Sequence, residues 1–133
     1  MSYNPYRQDR DELKELLQQY DNLKKGKNFS FIEEESFERI IDYYDEKEQL
    51  ALALQAAEYG IEQYVYSAAL LLRKADILIA LKKYAEALPI LDKAELLDRR
   101  DTNLYILKTD AYLALDMQEK AAAVLEAAID DFT

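Results

Sequence analysis

The sequence predicts an all-α fold, in which an N-terminal helix precedes an array of paired helices. The chain has only two glycines and two prolines in 133 residues, too few turn residues for an all-β fold. Half of the residues are hydrophobic, so the chain is too apolar to be disordered and long enough to form one domain with a core. Apolar residues recur at helical spacing along most of the chain, which favours amphipathic helices.

The first helix is expected over residues 9–25. Its apolar stripe consists of Leu13, Leu16, Leu17, Tyr20 and Leu23. Asp9 and Glu12 have the spacing of a capping box, which predicts the start of the helix. Gly26 follows two lysines and predicts its end, because glycine readily adopts the left-handed conformation that closes helices. A short linker leads to the rest of the chain.

Six further helices are expected. Their ranges are 35–47, 49–63, 68–82, 84–98, 102–115 and 118–132. Ser67, Thr102 and Asp116 are the expected N-caps of three of them, because short polar side chains accept hydrogen bonds from free N–H groups at a helix start. Asp116 and Glu119 predict a second capping box. Pro89 lies near the start of its helix, where it removes at most about one intrahelical hydrogen bond.

An internal repeat links these helices in pairs. When the sequence is shifted by 34, residues 84–98 fall on residues 118–132, and the apolar and small positions largely coincide. The columns are Phe37, Leu71 and Tyr105; Tyr44, Leu78 and Tyr112; Ala53, Ala87 and Ala121; and Gly60, Ala94 and Ala128. Small residues let paired helices approach closely, while large apolar ones fill the gaps beside them.

A 34-residue period with two helices per unit resembles the tetratricopeptide repeat family. The resemblance covers about residues 34–133, and residues 1–33 form the N-terminal helix and linker. The three units span about 34–67, 68–101 and 102–133. The resemblance implies a right-handed superhelical array of helix-turn-helix units, in which each unit buries its faces against its neighbours.

The sequence departs from the family pattern at a few positions. Ile41 stands where the family has a small residue, and Leu78 stands where it has an aromatic one. The proline between units is missing, since Val65 and Arg99 occupy its place. The turns between units are therefore expected to differ in detail from those of the family.

The resemblance implies a concave groove, because the first helices of the units line the surface where members of the family bind peptides or partner helices. The candidate groove residues are Glu38, Asp42, Leu72, Asp76, Ile79, Ile106, Asp110 and Leu113. The three aspartates occupy the same position in successive units and are interspersed with apolar residues. We expect a protein or peptide partner that carries Lys or Arg beside apolar anchors. In an alternative interpretation the aspartates hydrogen-bond to neighbouring helices or solvate the surface.

One binding mode of the family is not expected. Some members grip a C-terminal carboxylate with Lys, Arg and Asn side chains in the groove. The corresponding places here are held by Glu38, Asp42, Arg73, Asn103 and Leu107. Only the arginine and the asparagine suit a carboxylate.

Composition argues against several other functions. A net charge of −10 disfavours nucleic acid and anionic membranes as partners, because both are bound through basic surfaces. The chain has no cysteine and no histidine, the residues most used as thiolate nucleophile, general base and zinc ligand. The acidic run at residues 33–36 is interpreted as a helix start rather than a cation site. We expect no enzyme activity, cofactor, metal or small-molecule substrate, and a cytoplasmic location.

The last predicted helix is apolar on most sides, as buried helices are. Two explanations stay open: the chain is the N-terminal piece of a longer repeat protein, or a second copy covers the helix. The alternative function is therefore a structural, self-associating module, whose groove or C-terminal face is covered by its own N-terminal helix or by a second copy. Val124 and Ile129 are the expected self-association residues, and their replacement by lysine is expected to yield a monomer or to lower the stability of the homodimer.

Overall fold

The computed structural model describes residues 5–27 and 31–132, and all regular structure in these ranges is helical. The helices are α1 (Pro5–Lys24), α2 (Glu34–Glu46), α3 (Leu50–Gln63), α4 (Ala68–Ala80), α5 (Tyr84–Leu97), α6 (Thr102–Ala114) and α7 (Gln118–Phe132). The predicted all-α class is confirmed. Residues 1–4, 28–30 and 133, which the predicted linker and domain limits include, lie outside the described residues.

The start of α1 corrects one prediction. The helix begins at Pro5, whose fixed φ suits a first helical position. Asp9 therefore lies inside the helix, and the capping box that it was expected to form with Glu12 is wrong. The end of the helix agrees with the prediction, since Gly26 has a φ of 66° just after Lys24.

The same tight turn closes the first helix of each pair. In each turn a residue of positive φ is followed by an N–H that bonds to the carbonyl five residues earlier, as in a Schellman motif. The residues of positive φ are Glu48 (58°), Lys82 (62°) and Asp116 (59°), which hold the same position in successive units. Asp116 was expected to be the N-cap of α7, but it occupies this turn two residues before Gln118. The predicted capping box with Glu119 is therefore wrong.

Two other helix starts test the predicted N-caps. Ser67 caps α4, because its hydroxyl accepts a 3.1 Å hydrogen bond from Leu70 N–H. The cap of α6 is Asp101 rather than Thr102, which is already helical. The Asp101 carboxylate accepts a 2.9 Å hydrogen bond from Asn103 N–H.

The helices form two layers that differ in their contacts. Within each pair α2 packs on α3, α4 on α5 and α6 on α7, while α3 also packs on α4 and α5 on α6. The first helices α2 and α6 both contact α4, whereas among the described residues no contact joins α3 to α5 or α5 to α7. The array therefore curves, with the first helices on its concave side.

Small residues make the close approaches within this array possible. Ala53, Ala87 and Ala121, one column of the repeat, are at most 2% exposed. A Cβ atom at Gly60 would lie 3.1 Å from Phe37 Cγ and equally close to Leu70 Cδ1, which explains the small residue at that position. The predicted columns of small residues thus mark the helix crossings.

Helix α1 covers the start of the array. Leu16 and Tyr20 are buried in the core that α1 shares with α2 and α3. The Tyr20 ring lies 6.4 Å from that of Tyr44 and 5.9 Å from that of Tyr59, measured between centroids. Burial is also the main cause of the raised pKa of Tyr20.

Candidate binding groove

The first helices of the three pairs, α2, α4 and α6, border an open depression of about 320 Å³ on the concave side. Its described lining residues are Glu38, Ala69, Leu72, Arg73, Asp76, Asp101, Asn103, Ile106 and Leu107. Four of the predicted groove residues are among them: Glu38, Leu72, Asp76 and Ile106. Residues of α2, α4 and α6 thus meet at this depression, and no described residue of α1 lines it.

The other four predicted residues lie outside this depression. Asp42 lies on α2, where its carboxylate accepts a hydrogen bond from the Arg73 guanidinium of α4. Ile79 is half-buried and packs against the core of the second and third pairs. Asp110 and Leu113 are exposed on α6, on the same helical face as the groove residue Ile106.

Arg73 adds a positive charge beside the aspartates that occupy the same position in successive units. It forms an ion pair with Asp42 and places its Nε 3.9 Å from a carboxylate oxygen of Glu38. For Asp42, therefore, the alternative interpretation holds, since this aspartate bonds to a neighbouring helix. Despite the nearby arginine, partial burial raises the pKa of Glu38 above its ordinary value.

Asp76 forms no ion pair with any residue of the described part of the chain. The residue is exposed overall and is one of those that line the depression. The pKa of Asp76 is raised, first by partial desolvation and second by the nearby charge of Asp45, and Arg73 offsets only part of this. A positive group placed beside Asp76 would therefore be attracted.

The apolar surface of the groove belongs mainly to α6. Ile106 is 55% exposed and Leu113 is 53% exposed. Leu72, by contrast, is 8% exposed and belongs to the core, so it offers the groove little contact area. Of the apolar residues predicted to line the groove, those that offer an exposed surface therefore lie mainly on α6.

Two features of the groove were missed in the sequence. Asp101 lines the depression, but the sequence pattern favours Thr102 as the cap of the helix, so Asp101 is absent from the predicted groove residues. The pairing of Arg73 with Asp42 was also missed, because it depends on the register of two helices that are far apart in sequence. This pairing occupies Arg73, which leaves Asn103 as the one suitable carboxylate ligand among the five described family positions.

A second exposed surface lies on α7. Leu125, Ile129 and Phe132 are 48%, 61% and 47% exposed, while Ala121 is buried. Val124 is half-buried and packs against the core of the second and third pairs, so Ile129 is the more exposed of the two predicted self-association residues. Leu125 and Phe132 are the exposed apolar residues that the prediction did not name.

No metal or membrane chemistry is visible in the part of the chain that the structure describes. There, no three acidic, histidine or cysteine side chains cluster in a way that could hold a metal ion. None of the helices in this part has the length and apolar character needed to cross a bilayer.

The chain shares its fold with a solved tetratricopeptide repeat domain, the Arabidopsis OM64 TPR domain. The two structures superpose with a TM-score of 0.68 at 20% sequence identity, over 72% of this chain and 79% of that chain. No family model matches the sequence, and no curated protein matches it. The likeness confirms the tetratricopeptide-like fold that the repeat in the sequence predicted.

Proposed function

We propose that the chain is a non-catalytic, protein-binding module whose concave groove takes a peptide or helix with Lys or Arg beside apolar side chains. The observation that carries the proposal is the position of Asp76. Its carboxylate, with a raised pKa, lies at the same depression as the exposed side chain of Ile106. One segment of a partner protein could thus contact both the Asp76 carboxylate and the Ile106 side chain.

The charge of the groove supports a basic partner. Glu38, Asp76 and Asp101 line the depression, whereas Arg73 is the one lysine or arginine among its described lining residues. A Lys or Arg of the partner would stabilise the partly desolvated carboxylates of Glu38 and Asp76. The net charge of −10 would also speed the approach of a positively charged segment.

The apolar surface supports a partner with spaced anchors. Ile106 and Leu113 are seven residues apart on α6, which separates them by about 10 Å along the helix axis. A partner helix whose apolar residues recur every seven positions has the same spacing. Such a helix would present its basic residues toward the depression from a neighbouring turn.

The test uses 12-residue peptides selected from a random library for binding to the chain. We expect the selected peptides to combine Lys or Arg with apolar residues, and Asp76→Lys to weaken their binding by about tenfold, because a like charge replaces the attracting one. Affinity is measured by fluorescence anisotropy, and melting temperatures are compared to exclude unfolding. Glu62→Lys, at an exposed position of the outer helix α3, is the matched control.

Either of two outcomes would contradict the proposal. One is the selection of acidic or purely polar peptides. The other is an equal loss of affinity in Asp76→Lys and Glu62→Lys, which would show that only net charge matters and that the groove has no special part.

The second candidate function is self-association through α7. The exposed Leu125 and Ile129 favour it, because exposed apolar patches mark contacts. In a symmetric pair, however, the acidic residues Glu119, Glu126 and Asp130 beside them would face one another. We therefore place this function second.

The cytoplasmic location remains a prediction.

A further inference from the structure

The units of the array join through a contact that recurs from one unit to the next. Ala57 of α3 is fully buried in the same core as Leu70 of α4. At the equivalent position of the next unit, Leu91 of α5 is fully buried in the same core as Leu104 of α6. At each junction, therefore, a fully buried apolar residue of one unit's second helix shares a core with a fully buried leucine of the next unit's first helix.

An ion pair accompanies each of these junctions. Lys74 Nζ of α4 lies 3.8 Å from Glu58 Oε1 of α3. At the equivalent place Lys108 Nζ of α6 lies 2.8 Å from Asp92 Oδ1 of α5. In both cases the acidic residue directly follows the buried apolar one, and the lysine comes four residues after the buried leucine of the next unit.

Helix α7 repeats one half of this junction. Leu125 is the repeat equivalent of Leu91, and Glu126 is the repeat equivalent of Asp92. Leu125 is 48% exposed, although both of its equivalents are fully buried. Within the described residues Glu126 has no ion pair. The α7 end face, defined as Leu125, Glu126 and the exposed Ala122 one turn earlier, thus has the groups of a junction without the covering helix.

The helices that cover the earlier junctions show which chemistry fits such a face. Residues 70–76 read LLLRKAD and residues 104–110 read LYILKTD, so both begin with leucine and carry lysine at the fifth position. We propose that the α7 end face binds an amphipathic helix of another protein that carries a leucine and, four residues later, a lysine. The leucine packs on Leu125, and the lysine pairs with Glu126.

A second copy of the chain fits this face poorly. The two helices with this pattern, α4 and α6, bury their leucines within the array, since Leu70 and Leu104 are fully buried. A folded copy therefore cannot offer either helix. Two α7 helices facing each other would bring their Glu126 side chains and other acidic residues together, in a chain whose net charge is already −10.

The test uses a synthetic peptide with the sequence of residues 101–116, which contains the α6 pattern. It is held helical by a side-chain cross-link on the face opposite Leu104 and Lys108, and its helicity is confirmed by circular dichroism. We expect it to bind the chain in fluorescence anisotropy. Leu125→Lys is expected to weaken binding by about tenfold or more, because it replaces the apolar contact. Asp76→Lys in the groove is expected to have no effect.

Charge exchange tests the ion pair itself. A peptide with Lys108→Glu is expected to bind the wild-type chain about fivefold more weakly, and Glu126→Lys is expected to weaken the unmodified peptide by about the same factor. When the altered peptide meets the altered chain, affinity should return. This recovery cannot come from a general loss of folding or of net charge.

Three results would overturn the inference. The helical peptide fails to bind the wild-type chain. It binds with an affinity that Leu125→Lys and Glu126→Lys leave unchanged, while Asp76→Lys lowers it, which would place the peptide in the groove. The chain alone forms a dimer in sedimentation equilibrium that Leu125→Lys dissociates, which would make a second copy the occupant.

Discussion

The first and the last described helices end the array in opposite ways. At the start, α1 lies against the first pair and buries Leu16 and Tyr20 completely or nearly so. At the other end, α7 packs through Ala121 and Val124 and leaves Leu125 half-exposed. Both helices carry large apolar side chains, so the difference lies in what covers them. In a repeat array burial depends on a neighbour on each side, and the last described helix has one neighbour.

Removing an aromatic ring from each end should give the largest difference. Tyr20→Ala is expected to cost about 3–5 kcal/mol of unfolding free energy, because it empties a fully buried site. Phe132→Ala is expected to cost about 1 kcal/mol, because this ring is 47% exposed and its removal ends an edge-to-face pair with Tyr105. Urea unfolding measures both. Equal costs would mean that α7 is as well covered as α1.

The middle of the array should behave like the covered end. Ala87→Leu is expected to cost about 1–3 kcal/mol of unfolding free energy, because Ala87 is fully buried at a helix crossing and a larger side chain overpacks it. Lys93→Leu on the exposed side of α5 is the control and should change stability little. Thermal unfolding compares the two variants. Identical melting temperatures would contradict the assignment of Ala87 to a close helix crossing.

The smallest effect concerns the Tyr20 hydroxyl. This oxygen is buried and has no hydrogen-bond partner among the described residues. Tyr20→Phe removes the unsatisfied group and keeps the ring contacts with Tyr44 and Tyr59, so stability should rise by up to about 1 kcal/mol. Urea unfolding decides the matter. A loss of stability would show that the hydroxyl has a hydrogen-bond partner in solution and that water reaches the interface between α1 and the first pair.

The sequence predicted the parts of this fold that depend on periodic burial. The alanine column of Ala53, Ala87 and Ala121 marked the helix crossings, because burial at a crossing excludes large side chains in every unit. Helix ends were harder to predict, since Asp101 and Thr102 are adjacent and either side chain can cap a helix. In the structure Asp101 has an extended backbone and Thr102 is already helical, so Asp101 is the cap.

The groove could be predicted only in part. Its location followed from the repeat, because residues in one column of the first helices must share the concave side. The state of each charge did not follow, since the bond between Arg73 and Asp42 depends on how α2 and α4 are set against each other. Likewise, the inward direction of Val124 depends on the rotation of α7, which the mostly apolar helix left ambiguous in the sequence.

The central claim is that the concave side, rather than the outer helices, binds protein segments. The most direct measurement is the change in amide chemical shifts of the labelled chain when a library-selected basic and apolar peptide is added. The account predicts the largest shifts in α2, α4 and α6, around Asp76 and Ile106, with a smaller response in α3 and α5. Shifts confined to the outer surfaces of α3 and α5 would contradict it.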